Sequence, residues 1–231
     1  MTTVLFVLTS SDHWTLADGS THPTGFWAEE VAAPYRVFTE AGHEVVVATP
    51  GGVVPTVDQA SLTAEANGGE ETATEIAATL ERMTVLSQPR RLEEIHTADY
   101  AAIFYPGGHG PMEDLATNTT SGELLTSVLD SGKPLGVLCH APAALLPAQR
   151  TDGSWPFAGY RLTGFTNTEE QQAGLADHAP WLLQDRLEAA GANFVEGQAW
   201  GSNVVVDRNL YTGQNPASST ELAQQIVAAL R

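Results

Sequence analysis

What most constrains this chain is the recurrence of short, uninterrupted apolar runs, each closed by a turn rich in glycine or proline and followed by residues at helical spacing. Residues 3–8 (TVLFVL), 43–50 (HEVVVATP), 100–105 (YAAIFY) and 134–138 (PLGVL) are short, apolar and mostly β-branched or aromatic. Runs of this kind are strands covered on both faces, as in a parallel sheet flanked by helices. Residues 26–41 (FWAEEVAAPYRVFTEA) carry apolar side chains at helical spacing, with a kink expected at Pro34 and a stop at Gly42. The first strand, this helix and the second strand are therefore expected to form a parallel, right-handed unit.

After residue 50 the pattern weakens, and residues 51–98 are expected to be a small cap-like insertion with an exposed amphipathic helix at 70–83. The alternation then returns. Helices are expected at 121–130 (closed by Gly132), 140–146, 181–190 and 218–230, with short strands at 161–163, 203–206 and 210–212. The predicted architecture is one α/β domain over residues 1–231: a doubly wound, mostly parallel sheet in a flavodoxin-like three-layer sandwich. Sites in such sheets lie outside the carboxyl ends of the strands. Two loops fall there, 106–110 (PGGHG) and 138–142 (LCHAP).

Charge narrows the partners. With 28 acidic against 10 basic residues, the formal charge is -18, which repels phosphate backbones and anionic lipid. Nucleic acid and membrane are expected to be absent from its partners. No run approaches the ~18 apolar residues of a membrane span, and no basic segment precedes the apolar start, so no secretory signal is expected. The single cysteine cannot form an internal disulfide and suits a reducing compartment. A cytoplasmic location follows as the expectation.

Cys139 comes directly after a buried strand and before the next predicted helix, in GVLCHAP. A sharp strand-to-helix turn demands small flanks, here Gly136 and Ala141, and holds its central side chain toward the cleft. A sulfur at a helix start feels the positive end of the dipole, so a depressed pKa and a reactive thiolate are expected. Gly107 and Gly108 of PGGHG allow backbone N–H groups to face a developing oxyanion, with the amides of Gly108 and His140 as the proposed donors. His140 is a candidate base, although consecutive side chains around a sharp turn often diverge. The remaining histidines, His109 among them, show no metal-ligand spacing, so no metal is expected.

The segments VLFVLTS, TGFWAEE, AGHEVVVATP, YPGGHG, GVLCHAP, RLTGFTNTEE and LYTGQNPASS together resemble the ThiJ/PfpI superfamily, related in fold to class I glutamine amidotransferase domains. Within it the chain is similar to the heat-shock chaperone branch that includes glutathione-independent glyoxalase III. The resemblance implies a nucleophilic Cys139 with His140 beside it, and a first-helix carboxyl matching Glu30. Glu29 points about 100° away around the helix. A carboxyl beside a thiolate is expected to be protonated, since two anions in a dry pocket do not both ionise cheaply. Glu170 matches the acid that orients the histidine, with Glu169 as the alternative. Trp27, Trp200 and Asn215 are expected to pack at the pocket or cap.

The implied activity is cofactor-free conversion of small 2-oxoaldehydes, methylglyoxal to D-lactate, of the glyoxalase III or D-lactate dehydratase type, with protein deglycase activity beside it. A stress-response holding chaperone for unfolded proteins, with Cys139 as redox sensor, is the alternative, and an amidase or peptidase using His140 as base is a third. Late in the chain there is no H-x-E pair of the glutamine amidotransferase kind, which disfavours glutamine hydrolysis. A homodimer is expected from the same likeness.

Overall fold

A computed structural model of the protein describes residues 2–231. β1 (Thr3–Val7) leads into a small antiparallel hairpin, β2 (His13–Thr15) and β3 (Thr21–Pro23), then α1 (Ala28–Glu40) and β4 (Glu44–Thr49). The excursion carries α2 (Glu70–Arg82) and β5 (Arg90–Arg91); β6 (Ala102–Tyr105), α3 (Gly110–Glu113), α4 (Thr119–Ser131) and β7 (Leu135–Leu138) follow. The chain ends with β8 (Arg161–Leu162), α5 (Asn167–Gln172), α6 (Leu183–Ala189), β9 (Asn193–Phe194), β10 (Val204–Asp207), β11 (Leu210–Gly213) and α7 (Ser219–Ala229).

The main sheet has seven strands in the order β10-β11-β7-β6-β1-β4-β5 and is parallel except for β10. Helices cover both sides, as a doubly wound sheet requires. Val4, Leu5, Phe6 and Val7 of β1 are wholly buried, and each such side chain contributes roughly 1.5–3 kcal/mol of transfer free energy. Phe38 of α1 meets Phe6 edge-on at 5.8 Å, and Phe6 packs on Phe104 of β6 at 5.0 Å. That contact fixes α1 on the sheet. Glu30, eight residues earlier, is thereby carried roughly 12 Å back along the helix, to the carboxyl end of the strands. α1 runs through Pro34 as one helix, although proline leaves the Glu30 carbonyl without its helical N–H partner.

The excursion at 51–98 packs against α1 and bonds to the segment before it, Phe26 N–H donating to Thr56 O at 2.9 Å. Ile76 of α2 joins Ala28 and Ala32 of α1 in a small apolar cluster, and β5 returns to extend the sheet beside β4. Residues 140–146 do not form the expected α-helix: Ala141–Leu145 is a single 3-10 segment carrying Pro142 in its first turn. Gly136 also serves a different purpose from the expected one. A Cβ there would lie 2.5 Å from Ile226 Cδ1 and 2.6 Å from Phe104 Cδ2, so its smallness lets α7 and β6 pack onto β7.

Candidate active site

Cys139 is the residue after β7 and has φ 60°, left-handed backbone that costs a non-glycine residue about 1–3 kcal/mol. The conformation is held from both sides: Cys139 N–H donates to Gly213 O at 2.9 Å, and Phe165 N–H donates to Cys139 O at 2.8 Å. The side chains at the elbow converge, a contact that the sequence left open. Cys139 Sγ lies 3.3 Å from His140 Nδ1, and His140 Nε2 lies 2.8 Å from Glu170 Oε2. Both His140 and Glu170 are buried.

Burial alone would raise the Glu170 pKa, but the neighbouring His140 and His109 rings outweigh it and hold the carboxylate ionised, well below its ordinary range. Burial, followed by the nearby His109, pushes His140 down to about 4 against the pull of Glu170. With Nε2–H donated to the carboxylate, the neutral ring leaves Nδ1 as an acceptor facing the thiol. Cys139, His140 and Glu170 thus form a hydrogen-bonded series that can take a proton from sulfur.

Glu30 approaches from the other side. Its Oε2 accepts a 2.7 Å hydrogen bond from Gly107 N–H, while Oε1 is buried without a hydrogen-bond partner. Burial pushes this carboxyl up to about 8, against the contrary pull of the adjacent Cys139 thiol and the Gly107 amide. It therefore carries a proton at neutral pH. The expected preformed thiolate is not what this surrounding favours: burial first, then the adjacent Glu30, raises the Cys139 thiol well above its ordinary value, with only the Gly108 amide pulling the other way. Two causes separate expectation from structure. Cys139 is 3% exposed where an open position was expected, and a single 3-10 segment supplies little dipole.

The PGGHG loop divides its labour. Gly107 is not free to serve as an oxyanion donor, because its N–H is taken by Glu30 and its carbonyl accepts from Trp27 N–H at 3.0 Å. A Cβ at Gly107 would sit 2.7 Å from Leu138 O, 2.8 Å from His140 N and 2.9 Å from Glu30 Oε2, so only glycine lets these three elements meet. Gly108, at φ 94°, turns its amide toward the sulfur. Glu169 spends its carboxylate on structure: Oε2 closes a capping box with Thr166, and Oε1 accepts from Trp200 N–H at 2.8 Å and Asn215 Nδ2 at 2.7 Å.

His109 joins the site without having been singled out. Its Nε2 lies 2.9 Å from Glu170 Oε1, and its ring sits 4.0 Å from that of His140. The signal available in the sequence was a histidine between glycines at a strand end, in a loop valued only for its backbone. The donor atoms of His109, His140 and Glu170 lie within 4.8 Å of one another, a metal-compatible spacing by distance alone. Each Nε2 already has one carboxylate oxygen as partner, so the group closes on itself by hydrogen bonding.

Above the sulfur is a cavity of ≈ 70 Å³ walled by Trp27, Phe165, Ala173, Trp200 and Pro216. Residues 51–98 contribute nothing to this wall; its outer part comes from the segment around α5 and from Trp200, which is 48% exposed. Asn215 stands behind, bonded to Glu169 and to Gly201 O at 2.8 Å.

The family model for "DJ-1/PfpI family" matches residues 22–229. The chain belongs to the DJ-1/PfpI family. It is 27% identical to Glyoxalase 3 of Candida albicans over 99% of this chain and 98% of that one. It is 28% identical to the protein/nucleic acid deglycase HchA of Staphylococcus aureus, over 97% of this chain and 78% of the relative. Among solved structures, glyoxalase III from Candida albicans superposes with a TM-score of 0.85 at 26% identity, covering 100% of this chain and 98% of that one. The Rapid Encystment Protein 24 KDa of Francisella tularensis superposes at 0.88 with 28% identity, each chain covered 100%. The family therefore includes relatives named as a glyoxalase and as a protein/nucleic acid deglycase. Among the described residues, no helix is long and apolar enough to cross a membrane.

Proposed function

We propose that this DJ-1/PfpI protein converts small 2-oxoaldehydes such as methylglyoxal to 2-hydroxy acids without a cofactor, with Cys139 as nucleophile. The observation that carries the reading is a thiol placed between a neutral imidazole at 3.3 Å and a protonated, buried carboxyl. His140 takes the thiol proton as sulfur adds to the aldehyde carbon, and Glu30 gives its proton to the new oxyanion, leaving a hemithioacetal. The amides of Gly108 and His140 face that oxygen. Glu30, now a carboxylate, removes the hydrogen from C1 while His140 returns its proton to the C2 oxygen, forming an enediol. Glu30 then protonates C2 as His140 takes the proton from the C1 oxygen, which gives a thioester. Water attacks the thioester, its proton passes to Glu30, and the departing sulfur recovers the proton held by His140. The net change is addition of one water, and D-lactate is the product from methylglyoxal. The same nucleophile acting on aldehyde-derived adducts of amines would give deglycase activity.

Cavity size argues for this class over an amidase or peptidase. A space of ≈ 70 Å³ above Cys139 suits a small aldehyde better than the longer cleft that an extended peptide needs. The test is to compare wild type, Cys139→Ala and Glu30→Gln on 2-oxoaldehydes, amides, short peptides and an aggregating client protein. Loss of methylglyoxal turnover in Cys139→Ala is the expected result. Unchanged turnover in that variant would remove the mechanism, and holdase activity without turnover in wild type would favour the chaperone reading.

A further inference from the structure

His109 is a buried titratable group that the proposed mechanism does not use, and its side-chain hydrogen bond and its shortest ring contact both point into the Cys-His-Glu series. Its Nε2 lies 2.9 Å from Glu170 Oε1 while His140 Nε2 lies 2.8 Å from Oε2, so one carboxylate bridges two imidazoles. The ring is wedged between His140, at 4.0 Å, and Trp14 of the hairpin, which stacks on it at 5.2 Å with 23° between planes. Trp14 is itself 1% exposed, so the wedge is anchored in the core.

We propose that His109 is a positioning residue that holds the second oxygen of Glu170, fixing that carboxylate against His140 and leaving His140 Nδ1 free for the thiol proton. The inference rests on the Cys-His-Glu reading above, and it concerns a residue to which that reading gave no role. A carboxylate held by one imidazole alone can rotate or give both oxygens to it, and either change strengthens its hold on a protonated His140. With His109 on the other oxygen, half of that acceptor capacity is engaged. His109 also crowds His140 with a second ring that disfavours positive charge there, and it acts in the same direction as burial. Both effects keep His140 uncharged.

The charged and titratable groups around the pair are few. Cys139 faces His140 from the elbow with Glu30 of α1 beyond the thiol, Glu169 and Glu170 act from α5, and His22 meets His109 edge-on from β3 at 5.9 Å. His22 is held low by burial and then by His109, so it supplies no positive charge at neutral pH. Removal of His109 takes away the second of the two influences that hold His140 down, leaving burial alone against Glu170 and Glu169, both of which raise its pKa.

The experiment is nitrogen NMR of the imidazole rings as a function of pH in wild type, His109→Leu and His109→Gln, together with pH profiles of kcat/KM for methylglyoxal. In wild type the His140 ring is expected to stay neutral and Nε2-protonated down to about pH 5. In His109→Leu its midpoint should rise by about one pH unit or more, with the acid limb of kcat/KM moving by the same amount. In His109→Gln, whose amide reaches Glu170, the midpoint should fall between the two. An unchanged His140 midpoint in folded His109→Leu would overturn the proposal. If that variant does not fold, His109→Asn, polar but too short to reach Glu170, carries the same test with the same outcomes. A shifted midpoint with no methylglyoxal turnover in wild type would sink the substrate reading and leave the role of His109 standing.

Discussion

Replacing Glu30 by glutamine isolates the carboxyl at the site that burial holds protonated. Glutamine keeps the shape and the Gly107 hydrogen bond of 2.7 Å but does not titrate. In the folded protein burial lifts Glu30 from an ordinary 4.5 to about 8, and at about 1.4 kcal/mol per pH unit that displacement corresponds to about 5 kcal/mol. The carboxyl is harder to ionise folded than unfolded. Its contribution is therefore fully present below its unfolded value and is lost as pH rises through about 8. Between about pH 5 and about pH 8.5, wild type should lose about 4 kcal/mol more stability than Glu30→Gln. Against a typical total of roughly 5–15 kcal/mol, that difference is easily measured. Urea denaturation followed by tryptophan fluorescence at both pH values measures it, because the groups remote from Glu30 titrate alike in the two proteins. Parallel losses of stability in wild type and variant would refute the claim that Glu30 is held protonated.

The remaining predictions concern the parts around it. Gly107→Ala should lower stability by about 1–3 kcal/mol and abolish turnover, since its Cβ would press on Leu138 O, His140 N and Glu30 Oε2 at 2.7–2.9 Å; calorimetry and kinetics check both. Glu170→Gln should reduce kcat roughly 10²–10⁴-fold with far UV circular dichroism unchanged, whereas Glu169→Gln should act on stability, by about 1–3 kcal/mol, through the Trp200 and Asn215 contacts. Phe165→Ala should enlarge the ≈ 70 Å³ cavity and shift preference from methylglyoxal toward bulkier aryl 2-oxoaldehydes, read as a reversal of the kcat/KM ratio.

Much of the fold was legible because β1, β4, β6 and β7 are apolar on both faces, and only a helix-covered parallel sheet satisfies such strands. Pairing β10 antiparallel to β11 was not legible, since both are short and carry no distinctive pattern. At the site, Cys139 and His140 could be named from a strand end and its neighbour, and Glu30 from the family resemblance. Glu169 and Glu170 are adjacent and chemically equivalent on paper. Tertiary placement separates them, giving one to Trp200 and Asn215 and the other to His140 and His109. His109 went unnoticed because its value lies in a carboxylate 61 positions away.

Local order along the chain was enough to decide that a cysteine would sit on a tight turn at the carboxyl edge of a parallel sheet, because apolar run, glycine and proline act through near neighbours. Whether that sulfur would rest as thiolate or thiol was decided elsewhere. Ionisation depends on the water and charge surrounding an atom, and here those are set by α1, the PGGHG loop and the segment around α5, which meet only when the whole domain has closed.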